Sequence, residues 1–240
     1  MDCLSACDVV ILAGGPGTRL RPVVPDHPKA MAPIHDEPFL RYLIDQVHAF
    51  GARRIILALG FLAEEVQAYV ARQTWHGLKI LTSVEPQPLG TGGALRSVLP
   101  LVASDPVLVM NGDSFTRVDL CGVLSFHRAK AAAVSMVLTA LEDTDRYGTV
   151  EIDADGLVTA YREKATGNPS RSGTINTGIY CMDQEAIREI PPARSVSLER
   201  EVFPSLCRRR LYGMTGAFPF IDIGTPASYE AAQAFFQVAG

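Results

Sequence analysis

The chain has 240 residues with 22 Lys and Arg against 26 Asp and Glu, a formal charge of −4, which lacks the basic surplus that a polyanion partner requires and argues against nucleic-acid binding. Its 48% of hydrophobic residues suffice for a sizeable core, yet no apolar run approaches the roughly 18 residues of a membrane span, and the first residues are too acidic and too short in apolar length for a signal peptide. The five cysteines, at positions 3, 7, 121, 181 and 207, are odd in number and contain no Cys-x-x-Cys pair, so the expectation is reduced thiols in a cytoplasmic protein, with neither a disulfide framework nor a zinc site.

In chain order, Val9-Val10-Ile11-Leu12-Ala13 is a continuous apolar run ended by glycines, the pattern of a parallel strand covered on both faces. Residues 38–50 predict a helix stopped by Gly51, 54–59 a second strand, 63–72 a helix and 78–84 a third strand. Such alternation means βαβ units. A glycine-opened helix over 91–99 leads to a strand over 107–110 that delivers Asn111-Gly112-Asp113 at its carboxyl end, the edge where open α/β sheets hold ligands. Beyond it come a strand over 134–141 and β-rich runs near 148–152, 157–162 and 174–182, broken by turn residues such as Asp155-Gly156. Helices near 183–189, 198–207 and 226–237 and a short strand over 218–222 finish the chain. Arg208-Arg209-Arg210 reads as a solvated face or a helix end. The fold class is α/β: a Rossmann-like, mixed and mainly parallel sheet with helices on both faces, in one domain.

The turn after the first run is Gly14-Gly15-Pro16-Gly17-Thr18-Arg19-Leu20, followed by Pro28-Lys29. Glycines let main-chain amides approach phosphate oxygens, and Arg19 and Lys29 can neutralise the charge so gathered. Leu20 stands where a dinucleotide fingerprint needs its last glycine, and no Gly-Lys-Ser/Thr ending makes a Walker-type loop. The histidines at 27, 35, 48, 76 and 127 are scattered, and there is no Gly-x-Ser-x-Gly or His-Glu-x-x-His, which speaks against a hydrolase.

This turn resembles the Gly-Gly-x-Gly-Thr-Arg-Leu and Pro-Lys signature of the sugar-1-phosphate nucleotidylyltransferases. The resemblance continues through Pro88-Leu89-Gly90-Thr91-Gly92-Gly93-Ala94, Asn111-Gly112-Asp113, Arg146-Tyr147-Gly148-Thr149-Val150, Glu163-Lys164, Asn176-Thr177-Gly178-Ile179-Tyr180 and Ile221-Asp222-Ile223-Gly224-Thr225-Pro226. Within the family the chain is most similar to the D-glycero-D-manno-heptose 1-phosphate guanylyltransferases, and next to the mannose-1-phosphate guanylyltransferases. It shows none of the hexapeptide repeats of the C-terminal β-helix that many members carry, and so looks like a minimal, single-activity member.

The resemblance implies that Arg19, Lys29 and Asp113 are catalytic. Nucleotide would be held by Leu12, Ala13, Gly14, Gly15, Gly17, Thr18, Arg19, Pro88, Gly90, Thr91 and Asn111, and sugar phosphate by Gly112, Tyr147, Gly148, Glu163, Lys164, Asn176 and Thr177. Asp113 and Asp222, each at the end of an apolar run, would hold Mg²⁺, which takes one or two carboxylates plus phosphate oxygens; as bare residues they fit turn or capping positions too. The glycines and Thr91 of the second motif equally suit a structural helix N-terminus. The partners implied are GTP and a sugar 1-phosphate, with a homodimer as an open arrangement. Nucleotide would occupy about residues 1–115 and sugar phosphate 116–240. Other substrate pairs of the family, and a catalytically silent nucleotide-sugar-binding subunit, are the alternatives; the retained Arg19, Lys29, Asp113 and Asp222 speak against the silent one. Two departures, Pro16 for a longer side chain and Ala30 for the proline that commonly follows the signature lysine, bear on loop stiffness and on how firmly Lys29 is preset.

Overall fold

The computed structural model describes residues 2–25, 27–162 and 172–237. In chain order its elements are β1 (Val9–Leu12), the short β2 (Pro33–Ile34) and β3 (Glu37–Pro38), α1 (Phe39–Ala49), β4 (Arg54–Leu59), α2 (Ala63–Arg72), β5 (Lys79–Val84), α3 (Gly90–Val98), β6 (Val107–Asn111), β7 (Ser114–Thr116), α4 (Leu120–Lys130), β8 (Val134–Leu141), β9 (Thr149–Ile152), β10 (Val158–Arg162), β11 (Gly173–Met182), α5 (Gln184–Arg188), α6 (Phe203–Leu206), β12 (Leu211–Gly216), β13 (Phe220–Asp222) and α7 (Pro226–Gln237).

A nine-stranded sheet runs through the centre in the order β10-β9-β11-β6-β1-β4-β5, with β8 against β11 and β12 against β8. The half built first in the sequence is parallel: β1 lies between β4 and β6, and β5 follows β4. The strand β11 then joins β6 antiparallel and turns the sheet mixed. Side chains alternate across the sheet, as the two-residue period of a strand demands. Val9 and Ile11 enter one core with Leu40, Leu43, Ile44 and Val47 of α1 and Val123 of α4. Val10, Val107 and Val109 enter the opposite core with Leu95 and Val98 of α3 and Phe203 of α6. Both faces of β1 are thus covered, which is why it reads as an unbroken apolar run.

Register brings three strand ends to one edge. Leu12 pairs with Ala58 and with Asn111, so the segments Ala13-Gly14, Leu59-Gly60 and Gly112-Asp113 leave the sheet side by side. Small elements close this edge: β7 follows Asp113 directly and pairs with β13, aligning Ser114 with Asp222.

Several details differ from the sequence reading. The segments α4, β7 and β12 form elements that it did not anticipate. The strand β12 contains Gly213, whose Cβ would lie 2.3 Å from Leu138 Cδ1; glycine permits the close packing and at the same time hides the strand signal. The expected helix over 198–207 is a π-helical turn, Leu198–Val202, continued by the short α6. Arg208-Arg209-Arg210 lies in the turn before β12, with Arg208 at φ 59°. The cysteine expectation is corrected outright: Cys3 and Cys121 form a disulfide, their Cα atoms 5.6 Å apart across a sequence separation of 118. The N-terminal turn buries Leu4 in the same core as Leu120 of α4, and that packing, invisible to local spacing, brings the two thiols together. Cys7, Cys181 and Cys207 remain free.

Candidate active site

The glycine turn is shaped by contacts between strand ends. Gly112 N donates to Leu12 O at 2.9 Å and Phe61 N to Gly14 O at 3.1 Å, while a Cβ on Gly112 would sit 2.7 Å from Leu12 O. Only a residue without a side chain fits there. Gly17 adopts φ 58°, and a Cβ on it would lie 2.9 Å from Lys29 Cβ, so the turn folds directly onto the lysine stem. Lys29 opens a 3₁₀ turn, Lys29–Met31, whose Ala30 and Met31 are buried. Burial of these two residues anchors the turn that carries the lysine.

Two cavities meet at this edge. The larger, about 680 Å³, is lined by Leu12, Ala13, Gly14 and Gly15 together with Glu85, Pro88, Gly90, Thr91 and Glu199. The smaller, about 140 Å³, is walled by Arg19, Asp113, Arg146, Tyr147, Asn176, Thr177 and Asp222, among others. Lys29, Asn111 and Asp113 line both.

In the smaller cavity charges are paired. Lys29 Nζ donates to Asp113 Oδ2 at 2.5 Å. Burial works to raise the Asp113 pKa, but the ammonium of Lys29, with Arg19 behind it, outweighs this and holds the carboxyl below the usual carboxylate value. Arg146 Nη2 donates to Asp222 Oδ2 at 2.5 Å, and the Tyr147 hydroxyl donates to the same oxygen. Burial and this carboxylate push the Tyr147 phenol upward, so it stays protonated and remains a donor. Ile223 N donates to Asp113 O at 3.0 Å, which ties the two aspartate turns together. Asp113 and Asp222 thus converge from opposite halves of the chain on one cavity. Among the described residues no cluster of three or more His, Cys, Asp or Glu could hold a metal. Two carboxylates at a cavity rich in cations suit a hard divalent ion that arrives with phosphate oxygens, rather than an ion caged wholly by protein.

The larger cavity adds two carboxylates, Glu85 and Glu199, to its lining. Glu85 Oε2 accepts from Leu89 N at 3.0 Å, and Oε1 lies over the Gly14 and Gly60 backbone, 2.7 Å from where a Gly60 Cβ would be. Burial raises the Glu85 pKa and the Leu89 amide partly offsets it. Glu199 Oε2 accepts from Thr91 Oγ1 at 2.7 Å and from Ser197 Oγ at 2.9 Å. Sequence reasoning missed Glu85, Glu199 and Arg146 as site residues. Arg146 stood within a quoted motif, but the two glutamates carried no local signal, since a single acidic residue looks like any surface charge.

The sequence-derived site residues divide as follows. Leu12, Ala13, Gly14, Gly15, Pro88, Gly90, Thr91 and Asn111 line the larger cavity. Gly17 and Thr18 do not line it; Gly17 serves the packing of Lys29. Gly90 and Gly93 are glycines because the chain at 194–196 crosses above them, a Cβ on Gly90 coming 2.6 Å from Val196 O, and the Thr91 hydroxyl is taken by Glu199 and by Leu198 N. Arg19 faces the smaller cavity. Gly112, expected on the sugar-phosphate side, lines the nucleotide-sized cavity instead, because its amide is pinned to Leu12. Gly148 lines neither cavity. Tyr147, Asn176 and Thr177 line the smaller one, yet the Thr177 hydroxyl donates inward to Val137 O, and Asn176 Nδ2 donates to the Tyr161 and Tyr180 hydroxyls. Their polar groups brace the wall. Glu163 and Lys164 lie outside the described residues.

The chain is 34% identical over 227 residues to the D-glycero-alpha-D-manno-heptose 1-phosphate guanylyltransferase of Aneurinibacillus thermoaerophilus, covering 94% of this chain and 96% of the relative. It is 36% identical over 230 residues to the mannose-1-phosphate guanylyltransferase of Mycobacterium tuberculosis, covering 95% of this chain but only 64% of that longer protein. The crystal structure of HddC from Yersinia pseudotuberculosis complexed with GMP-PN superposes with a TM-score of 0.85 at 32% identity, covering 96% of this chain and 99% of that one. Nucleotidyltransferases of this kind generally use a divalent metal. Among the described residues no helix is long and apolar enough to cross a membrane. The nucleotidyl transferase family model matches residues 8–238, and with relatives aligned over nearly its whole length the chain belongs to that family and is a nucleotidyltransferase.

Proposed function

We propose that this chain transfers the guanylyl group of GTP to D-glycero-α-D-manno-heptose 1-phosphate, giving GDP-heptose and pyrophosphate. One observation carries the reading: a nucleotide-sized cavity and a smaller cationic one share Lys29, Asn111 and Asp113 at their boundary, where an α-phosphorus and an attacking sugar phosphate would have to meet. A phosphate oxygen of the sugar attacks that phosphorus, the bond to the bridging oxygen breaks, and pyrophosphate leaves with the electron pair. The nucleophile is already ionised, so no side chain need take a proton. What the reaction needs from the protein is in-line placement and relief of repulsion between anions. Lys29 and Arg19 supply positive charge there, one as a compact ammonium and the other as a planar fork. Asp113 and Asp222 are the residues that would hold Mg²⁺, which when bound supplies further charge neutralisation at the reacting phosphates.

The choice of guanine rests on Glu85. Its carboxylate only accepts hydrogen bonds, and guanine alone among the bases offers a ring N–H and an amino group side by side. The choice of heptose rests on the guanylyltransferase of Aneurinibacillus thermoaerophilus, which matches at nearly full length on both sides. Mannose 1-phosphate is the second reading, favoured by the Mycobacterium tuberculosis relative. The division of labour we adopt within one domain is nucleotide over about residues 1–115 and sugar phosphate over 116–240, a boundary within β7. We assign the reaction to the cytoplasm, where nucleoside triphosphates are supplied.

A pyrophosphate-release matrix tests this reading: GTP, ATP, UTP, CTP and dTTP against heptose, mannose and glucose 1-phosphates. GTP with heptose 1-phosphate should give the highest kcat/KM. A maximum with UTP or dTTP would remove the guanine assignment, and one with mannose 1-phosphate would replace the sugar. In the same assay Asp113→Asn and Asp222→Asn should each lose on the order of a hundredfold or more in rate while melting like wild type. Undiminished turnover in both would overturn the metal assignment.

A further inference from the structure

We propose that Lys29 and Arg146 act as built-in counter-ions that occupy the metal-binding carboxylates until a nucleotide arrives, so that the divalent ion binds with the triphosphate rather than ahead of it. This rests on the reading of Asp113 and Asp222 as the metal ligands, and adds a positioning role for Arg146 that the sequence motif did not assign.

An ionised carboxylate offers about four acceptor sites, and those of Asp222 are filled. Oδ1 accepts from Gly224 N at 2.6 Å and faces Ser228 Oγ at 3.1 Å. Oδ2 accepts from Arg146 at 2.5 Å and from the Tyr147 hydroxyl. Gly224 and Ser228 belong to the turn leading into α7 and the first part of that helix, and so are fixed beside Asp222. Arg146 and Tyr147 come from the separate segment before β9, and Arg146 also reaches Thr225 Oγ1 at 2.5 Å. An ion can coordinate Oδ2 only if this second pair lets go.

Asp113 is held through a single ion pair, with Lys29 Nζ on its Oδ2. The Lys29 side chain is only 11% exposed. An ammonium so largely enclosed does not readily give up its anion, since an unpaired charge there is unfavourable. It leaves Asp113 only for another anion, and a phosphate at the shared boundary is such an anion. Among the described lining residues, the smaller cavity sets Arg19, Lys29 and Arg146 against Asp113 and Asp222, an excess of positive charge. A bare divalent cation is repelled by it, whereas a triphosphate is attracted. When the phosphates take over Lys29 and Arg146, the same step frees both carboxylates. Linkage then requires that nucleotide and metal raise each other's affinity by equal factors.

The test is Mn²⁺ alone, titrated into nucleotide-free protein and followed by the electron paramagnetic resonance signal of the free ion. Wild type should bind weakly. Lys29→Gln and Arg146→Gln should each tighten Mn²⁺ binding by about tenfold, since each removes a cation a few ångströms from the ligand, while Arg146→Lys, which keeps the charge, should stay near wild type. A purely structural role predicts the opposite, because losing a brace would weaken the site. The two residues lie in different segments, so either folded variant decides the matter. Unchanged or weaker binding in the folded neutral variants would overturn the proposal. If instead Lys29→Gln gains affinity and a further Asp113→Asn leaves that gain intact, the assignment of Asp113 as metal ligand has failed.

Discussion

At the scale of single residues, the larger cavity carries both signs of charge, with Glu85 and Glu199 in its lining and Lys29 at the boundary with the smaller one. A nucleotide can use both, with donors on its base and ribose and anions on its phosphates. Glu85 is the sharper of the two selectors. The edges of adenine and cytosine turn a ring nitrogen lone pair toward a carboxylate, and uracil flanks its one N–H with carbonyls, so each places acceptor against acceptor. Replacing Glu85 by Gln supplies a donor and removes that conflict. We expect E85Q to lower kcat/KM for GTP by about ten- to a hundredfold and to narrow its preference over UTP by a similar factor. Steady-state kinetics with both nucleotides checks this, and an unaltered ratio would exclude Glu85 as the base reader. Burial raises the pKa of Glu85, so its acceptor is lost at a higher pH than for an ordinary carboxylate. As pH falls through that raised value, the KM for GTP should climb faster in wild type than in E85Q. The comparison cancels the titration of the nucleotide itself.

At the scale of elements, the sequence was most readable where an apolar run was bounded by turn residues. The strands Arg54–Leu59 and Val134–Leu141 and the helix Ala63–Arg72 lie where their patterns predict them. Asp113 and Asp222 were legible for a related reason, since each ends an apolar run at a turn. The element α4 was overlooked although Leu120, Val123, Leu124 and His127 line one face, because Cys121, Gly122 and Ser125 dilute the pattern. His127 there bonds Ser135 Oγ at 3.0 Å and Asp183 Oδ1 at 3.1 Å. Ser135 is wholly buried, so this Ser-His-Asp contact ties α4 to β8 and to the start of α5 and offers no nucleophile to a substrate. Nor could sequence alone reveal the bend of β11, whose pairing with β8 shifts register between Asn176 and Tyr180. Gly178 makes that bend at φ 85°, and a Cβ there would come 2.6 Å from Ser114 Oγ and 2.9 Å from Asn111 Nδ2. Gly178→Ala therefore combines a strained backbone, about 1–3 kcal/mol, with pressure on a residue at the boundary of both cavities. We expect melting to fall by roughly 5 °C and kcat to fall with it. Calorimetry paired with the pyrophosphate assay checks both, and a variant that melts and turns over like wild type would show that the bend is not needed.

At the scale of the whole molecule, the disulfide and the assigned compartment pull in different directions. A cytoplasmic thiol pool keeps most cysteine pairs reduced, yet Cys3 and Cys121 lie within bridging distance because the N-terminal turn and α4 share a core. Closing a loop across 118 residues restricts the unfolded chain strongly: the chain-entropy account gives about 5 kcal/mol for such a link, of which about 2–4 kcal/mol is typically realised. The cavity walls include neither Cys3 nor Cys121, so the link bears on stability and not on turnover. Denatured but unreduced protein should therefore expose three alkylatable thiols, Cys7, Cys181 and Cys207, and reductant should raise this to all five. Cys3→Ser should melt on the order of 5–10 °C below the bridged protein and should match wild type once reductant is present, with kcat/KM unchanged throughout. Alkylation and mass measurement on protein trapped at the moment of lysis then tell which form the cell holds. Five reactive thiols in protein purified and oxidised without reductant would remove the bridge altogether, and the stability assigned to it would then have to come from the packing of Leu4 and its neighbours against the core.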